Sequence, residues 1–420
     1  MDIDLEGLYT AFTNASGVTT DSRKIDQGSI FFALHGASFD GNDYATQALD
    51  KGASVAVIDR AEILRDNPDY AERLILVDDT LQALQALARE HRRQLAIPII
   101  AIAGSNGKTT TKELVSRVLA ERFEVSTTKG NLNNHIGVPL TLLSMNNETE
   151  FGVVEMGASA QHEIELLCSI AEPNYGLLTN IGLSHLEGFG GVEGIRKGKG
   201  ELFDHLDANG GRAFVPQEDA TLCDMVAERE DLAVEYYTRT IAEGFESNLT
   251  GDYNRYNIAA AVAVGRYFGI DDVHIANAIL SFMPDNNRSQ AVKTEHNSLV
   301  VDCYNANPSS MEVALDNIST MEAKRKLLIL GDMLELGEWS EEAHCNILRK
   351  ADKVADEIIL VGKEFAAAHV LIADELESHY ALYPTTAEAL IALDREPIRN
   401  TLILLKGSRG IALEKLIEKL

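Results

Sequence analysis

The residues best suited to chemistry in this 420-residue chain lie in one short segment, Gly104-Ser105-Asn106-Gly107-Lys108-Thr109-Thr110. A glycine loop between a buried strand and a helix lets several backbone N–H groups converge on one anion, and the helix N-terminus adds its partial positive charge. Lys108 is then placed to neutralise the β- and γ-phosphates of a nucleotide, and the Thr109 hydroxyl to ligate Mg²⁺. The strict GxxxxGK[ST] spacing is not met, because the position five before Gly107 is Ile102. Context compensates: an apolar run at 97–102 precedes the loop, and an amphipathic run from 108 to 121 comes after it.

Three further groups are candidates. Glu155 ends the apolar run 151–154, and open α/β sheets bind ligands at the ends of such strands, so it is a natural Mg²⁺ ligand. The bland alternative is a helix-capping or solvated acid. His185 lies just past another run, 175–179, where a histidine serves a core or a turn as readily as a metal. Lys197 and Lys199, in Gly194-Ile195-Arg196-Lys197-Gly198-Lys199-Gly200-Glu201, read by themselves as a basic helix face. Mg²⁺ bridging phosphate oxygens beside Lys108 would stabilise phosphoryl transfer, but this chemistry alone does not say what receives the phosphate.

The elements that must position these groups can be read from the apolar pattern. Residues up to 85 carry short apolar runs at 29–34, 55–58 and 74–77 separated by turn-rich segments, as in a small α/β unit. A helix predicted over 80–94, with Leu81, Leu84 and Leu87 in register, links it to the second unit. From 97 onward strands at 97–102, 151–154 and 175–179 alternate with helices near 194–206 and 255–268, which implies a mostly parallel sheet covered on both faces. The alternation restarts after 283–288, with strands at 299–301, 327–330, 357–361 and 401–405. The expected fold is therefore α/β in three domains: a small N-terminal unit over 1–85, a central P-loop ATPase unit over 86–288, and a doubly wound, Rossmann-like unit over 289–420. Three units suit the length.

Composition narrows the setting. The chain is 45% hydrophobic and 24% charged, as soluble globular proteins are. A net charge of −28 argues against a nucleic-acid surface, which needs clustered Lys and Arg to release counterions, yet it does not prevent a local phosphate site. Cys168, Cys223, Cys303 and Cys345 are far apart and show no metal-ligand spacing, so they are expected to be reduced thiols. The beginning, MDIDLEGLYTAF, lacks the basic and apolar regions of a signal peptide, and no apolar run approaches the roughly 20 residues that span a bilayer. A cytoplasmic protein with no membrane span is expected.

Taken together, the motifs resemble the Mur ligases of peptidoglycan synthesis. The loop matches that family's Gly-x-Asn-Gly-Lys-Thr-Thr variant, which accounts for the missing first glycine. Other matching segments are Thr20-Asp21-Ser22-Arg23 with Asp40-Gly41, Asn131-Leu132-Asn133-Asn134-His135-Ile136-Gly137-Val138-Pro139, and His185-Leu186-Glu187-Gly188-Phe189-Gly190. Asp302-Cys303-Tyr304-Asn305-Ala306-Asn307-Pro308, Leu330-Gly331-Asp332-Met333-Leu334-Glu335-Leu336-Gly337 and Lys406-Gly407-Ser408-Arg409 complete the series, so the resemblance spans essentially the whole chain.

The resemblance is to the branch that joins D-alanyl-D-alanine to the C-terminal carboxylate of UDP-N-acetylmuramoyl-tripeptide through an acyl phosphate. It implies ATP and two Mg²⁺ as cofactors, with Thr109 and Glu155 on one ion. His185 and a carbamylated Lys199 would hold the other, with Lys197 as the competing lysine. It further implies that Asn254 and Asn257 contact the adenine side of ATP and that Arg288 and Asp302 lie near the nucleotide. Ser22 and Arg23 would lie near the UDP-muramoyl end, although a turn with an exposed cation is the alternative. Asn133, Asn134 and His135 would line the passage to the reacting carboxylate. Small-molecule substrates, no nucleic acid and a monomer are expected. Tyr253, where many relatives carry His, and Cys303, where Ser is expected, depart from the pattern and put in doubt fine nucleotide contacts rather than the reaction. The rival readings are another ligase of the superfamily, such as a folylpolyglutamate synthase-like enzyme, and a non-catalytic nucleotide-binding module. The third residue of the peptide is not readable.

Overall fold

The computed structural model describes residues 4–284 and 290–420. A first sheet has the order β1-β2-β5-β6, from Val18–Thr19, Ile30–Phe32, Val55–Ile58 and Leu74–Leu76, with a two-residue hairpin, β3 (His35–Gly36) and β4 (Phe39–Asp40), beside it. The helix Thr80–Leu95 leads out of this unit. Asp79 caps its start by accepting from Gln82 N at 2.8 Å, and Ala96, at φ 51°, ends it in the left-handed conformation just before Pro98. Ala83, Leu84, Leu87 and Ala88 form its buried face, the spacing that places side chains on one side of a helix.

The second sheet is parallel throughout, with strand order β12-β11-β10-β7-β9-β8. Its strands are β7 (Ile99–Ala103), β8 (Val125–Thr127), β9 (Phe151–Glu155), β10 (Tyr175–Leu178), β11 (Arg212–Pro216) and β12 (Ala233–Tyr237). Ile99, Ala101 and Ala103 enter one core while Ile100 and Ile102 enter another, so both faces are covered and β7 reads as an unbroken apolar run. The chain leaves β7 to form β8 and β9 on one side and β10 to β12 on the other. The reversal opens a crevice beyond the end of β7, the place where doubly wound sheets hold ligands.

The third sheet has the order β13-β14-β18-β15-β16-β17: Gln290–Lys293, Ser298–Asp302, Leu402–Lys406, Lys326–Gly331, Glu357–Val361 and His379–Tyr383. Only β13 is antiparallel to its neighbour. One buried cluster runs unbroken from Leu8 through Ala101 to Met311 and Leu404, so the three units share apolar packing. The α/β expectation of three domains holds, with one larger sheet in each and the β3–β4 hairpin beside the first. The sequence reading missed β1, β3, β4, β8, β11, β12, β13 and β17. Five of these, β1, β8, β12, β13 and β17, are sheet edges, with a neighbour on one side only, and lack the continuous apolar run that marks a central strand. The hairpin strands β3 and β4 are two residues each, and β11 opens on Arg212 and closes on Pro216.

Candidate functional site

The segment 104–107 leaves the end of β7, and Gly107 precedes the helix Lys108–Ala120. Gly104 and Gly107 sit at φ 123° and 81°, a region closed to most side chains. Space forbids a side chain as well: a Cβ on Gly104 would fall 2.2 Å from Thr179 Oγ1 and 2.9 Å from the Thr179 backbone nitrogen. On Gly107 it would meet Asn257 Oδ1 at 2.7 Å. The turn after β10 holds the loop in place: Ser105 N donates to Asn180 O at 3.0 Å, Asn106 N to Asn180 Oδ1 at 3.1 Å, and Ser105 Oγ to Gly182 O at 2.8 Å. Lys108 Nζ folds over the loop and donates to the carbonyls of Gly104 and Ser105 at 2.9 and 3.0 Å.

Around this loop is a cleft of about 1080 Å³. Its lining includes Ser105, Asn106, Gly107, Lys108 and Thr110, the ends of β9 and β10, and Asp302, Asn307 and Lys406 of the third unit. Asn131, Asn133, Asn134 and His135 form another part of the wall, and Asn254 and Asn257 another. Asn257 is tied to the loop helix, accepting from Thr111 Oγ1 at 3.0 Å and donating to Asn254 Oδ1 at 2.8 Å.

Six buried side-chain polar atoms lack a hydrogen-bond partner among the described residues, and three of them gather here with no charged group beside them, Thr109 Oγ1, Glu155 Oε2 and Ser184 Oγ, while a fourth, His185 Nδ1, has Glu335 at ion-pair distance. Burying an unsatisfied oxygen costs about 1–3 kcal/mol, so such a concentration calls for a ligand. Asn133 Nδ2 donates to Glu155 Oε1 at 2.7 Å, which fixes the carboxylate and leaves Oε2 for another partner. A hydroxyl and a carboxylate oxygen beside a phosphate loop suit Mg²⁺, which takes few protein ligands and completes its shell with phosphate and water. No cluster of three or more His, Cys, Asp or Glu side chains competes as a metal cage among the described residues. The residues present therefore fit Mg²⁺ and a nucleotide.

On the helix Val192–Ala208, Lys197 is exposed whereas Lys199 is 1% exposed. Lys199 Nζ donates to Ala158 O at 2.9 Å and lies 4.9 Å from the Phe189 ring centre. Burial, reinforced by the charge of Lys108, pushes its amine well below the usual lysine range. His185, at φ 53°, faces Glu335 of the third unit, at φ 64°; Nδ1 is 2.5 Å from Oε2, an ion-pair distance. Burial lowers the imidazole pKa, Lys199 and Lys108 lower it further, and Glu335 opposes them. Lys199 is not part of the cleft wall but sits behind it, through Ala158.

Asp302 Oδ2 accepts from the buried Lys406 Nζ at 2.5 Å. Arg288 lies outside the described residues. Ser22 and Arg23 are not in the cleft: the Ser22 carbonyl accepts from Lys51 Nζ at 2.8 Å, and Arg23, with its side chain 86% exposed, pairs with Asp21. Sequence reasoning assigned no role to Asn180, Asn307, Ser309 or Lys406. Asn307 Nδ2 donates to Asn106 Oδ1 at 2.9 Å, and Leu183 N to Ser309 Oγ at 2.9 Å, docking the third unit on the loop. A signal existed for Asn180 and Lys406, since both stand at or just past a strand end.

A glycine loop at a sheet's reversal point, with unpartnered oxygens beside it and a third unit closing over it, defines a multidomain P-loop nucleotide-binding protein. Family models match the chain in succession: "Mur ligase family, catalytic domain" over residues 14–92, "Mur ligase middle domain" over 102–242, and "Mur ligase, glutamate ligase domain" over 287–409. The UDP-N-acetylmuramoyl-tripeptide–D-alanyl-D-alanine ligase of Bacillus subtilis is 35% identical, with 96% of this chain and 93% of the relative aligned. A crystal structure of MurF from Acinetobacter baumannii superposes with a TM-score of 0.84 at 28% identity, covering 99% of this chain and 98% of that one. MurF ligase from Thermotoga maritima, solved in complex with ADP, gives 0.83 at 25% identity and 97% coverage of both. This chain belongs to the Mur ligase family.

Proposed function

We infer that the chain is an ATP-dependent ligase that adds D-alanyl-D-alanine to the C-terminal carboxylate of UDP-N-acetylmuramoyl-tripeptide in cell-wall synthesis. The observation that carries this reading is the pair of buried, unpartnered oxygens, Thr109 Oγ1 and Glu155 Oε2, beside the phosphate loop in a cleft closed by the third unit. The activity of the 35% identical relative supports the choice of substrates.

In this reading the substrate carboxylate attacks the γ-phosphorus of ATP, ADP leaves, and the amine of D-alanyl-D-alanine displaces phosphate from the acyl phosphate. The loop N–H groups and the start of the helix Lys108–Ala120 hold the phosphates, and Lys108 neutralises them. Mg²⁺, when bound, supplies charge neutralisation at the transferring phosphoryl group. Thr109 and Glu155 would hold one ion, with Asn133 orienting the carboxylate. His185 and Lys199 would hold a second, Lys199 as a carbamate. A buried amine whose pKa is pushed well below the usual lysine range gives up its proton more readily and so can add to CO₂ with loss of a proton, and the product is an anion where the lysine would have repelled a cation. Asn254 and Asn257 lie on the adenine side, Asp302 near the nucleotide, and Asn133, Asn134 and His135 along the passage to the carboxylate. Ser22 and Arg23, on the first unit, would meet the UDP-muramoyl end.

Residues 1–85, 86–288 and 289–420 would bind the UDP-sugar peptide, ATP and the dipeptide in turn. In this reading the protein works as a cytoplasmic monomer. Its substrates are soluble, and no described helix is long and apolar enough to cross a membrane. The test is mass spectrometry of the product formed from UDP-MurNAc-tripeptides, ATP and D-Ala-D-Ala, beside ADP release with the dipeptide and with single amino acids. The expected product carries the dipeptide. ADP release that ignores the dipeptide would overturn the reading.

A further inference from the structure

A second cavity, of about 1030 Å³, lies at the far edge of the central sheet. The phosphate loop comes after the end of β7, whereas Tyr175, Arg212 and Ala233, which line this cavity, are the first residues of β10, β11 and β12. Because the sheet is parallel, roughly 15 Å of strand separates the two sites.

The cavity wall carries four arginines, Arg89, Arg92, Arg93 and Arg212, against one carboxylate, Glu172, in a chain whose net charge is −28. Two of the arginines are committed to the fold. Arg92 is buried and donates to the carbonyls of Ala171 and Glu172 and to Asn174 Oδ1 at 2.9–3.2 Å, closing the end of the helix Glu163–Ala171. Arg93 Nε donates to both oxygens of Glu172, at 3.0 and 3.1 Å. The other two are not committed. Arg89 is half-buried and makes no hydrogen bond or ion pair among the described residues. Arg212 stacks over Tyr267 at 5.3 Å and makes only a long ion pair, at 4.0 Å, with Glu235. The protein's only carboxylate in the cavity is already engaged by Arg93. Arg89 and Arg212 thus line a space of ligand size whose one carboxylate is hydrogen-bonded by Arg93 and shared electrostatically with Arg89, so positive charge is in excess there, and phosphate is the group the planar guanidinium matches.

We propose that this cavity is a second binding site, for a soluble, multiply charged phosphate compound, gripped by Arg89 and Arg212 with the Tyr267 ring beside it. The site is separate from the ATP cleft and stands independently of the reaction assigned there. The helix Thr80–Leu95 carries Arg89, Arg92 and Arg93 and also Gln85, whose Nε2 donates to His135 O at 3.0 Å, so an occupant touches an element that reaches the cleft wall.

The probe is inorganic tripolyphosphate, titrated calorimetrically into the full chain, into Lys108→Ala and into Arg89→Gln/Arg212→Gln. Two binding events are expected in the unmodified protein. Lys108→Ala should keep the event assigned to the second cavity. The double variant should weaken that event tenfold or more while its dipeptide-ligating activity without tripolyphosphate stays unchanged. Arg89→Gln alone, at an unpaired and half-exposed position, secures a folded variant and should show part of the same weakening. A single event that vanishes in Lys108→Ala, or arginine variants that bind as the parent does, would overturn the proposal. Flotation with phosphatidylglycerol vesicles separates a soluble ligand from a lipid headgroup. No Arg89-dependent flotation is expected, and its appearance would refute the soluble assignment.

Discussion

At the scale of single residues, the cleft separates groups that touch phosphate from groups that hold others in place. Lys108→Ala removes a charge from a preorganised phosphate site, so turnover should fall by roughly 10²- to 10³-fold or more with little change in melting temperature. Phosphate release measured with the dipeptide checks this, and near-normal turnover would contradict the role of the loop. Lys199→Ala should also lose activity, but if Lys199 acts as a carbamate, added short carboxylic acids should restore part of it. A folded variant that resists rescue would make Lys199 a plain structural lysine. The sequence alone left Lys197 and Lys199 on one basic face. Burial decides between them: positions two apart on a helix point about 200° apart, and only Lys199 turns inward. Lys406 was harder to see, because its partner Asp302 stands on a strand 104 positions away.

At the scale of elements, the glycine loop and the helices that fix it were legible because their pattern is local. The edge strands β1, β8, β12, β13 and β17 were not, because one open side lets polar residues in. The loop's tightness is testable: Gly107→Ala places a methyl group 2.7 Å from Asn257 Oδ1 at φ 81°, and should cost about 1–3 kcal/mol and weaken ATP binding. An unchanged melting temperature would argue against this packing. The helix Ser340–Ala351 contains a pH-sensitive anchor. His344 donates from Nδ1 to Ser340 O at 2.7 Å and accepts at Nε2 from Met333 N at 3.0 Å, so the neutral ring is built in, and burial lowers its pKa. Below the ordinary histidine value the unfolded chain takes up a proton that the folded chain refuses, so stability falls as pH drops through that range. Relative to His344→Gln, the unmodified chain should lose up to about 1.4 kcal/mol per pH unit there, read from denaturant unfolding between pH 7.5 and 5.5. Identical slopes would mean that His344 does not contribute.

At the scale of the whole molecule, the cleft exists only while the third unit is docked on the loop. Ser309→Ala removes the acceptor for Leu183 N without touching a helix cap, and should cost about 1 kcal/mol of docking, or roughly fivefold in the closed population. Lower kcat/KM and a larger radius of gyration in X-ray scattering, at unchanged melting temperature, are expected; unchanged scattering and kinetics would remove Ser309 from the docking surface. Sequence reading reached the three units but not these contacts, since Asn106 and Asn307 are 201 positions apart and nothing local marks them as partners. The strand order of the third sheet bears on how the protein is made. β14 and β15 do not pair with each other; both pair with β18, which is made after either of them. During synthesis the first two sheets can close while β14 and β15 still wait with open edges for Leu402–Lys406. Asp302 then gains Lys406 and the cleft gains its far wall. The phosphate loop is ready early, yet the site it serves comes into being only once Leu402–Lys406 has been made, so a chain cut short before that strand can bind nucleotide without being able to consume it.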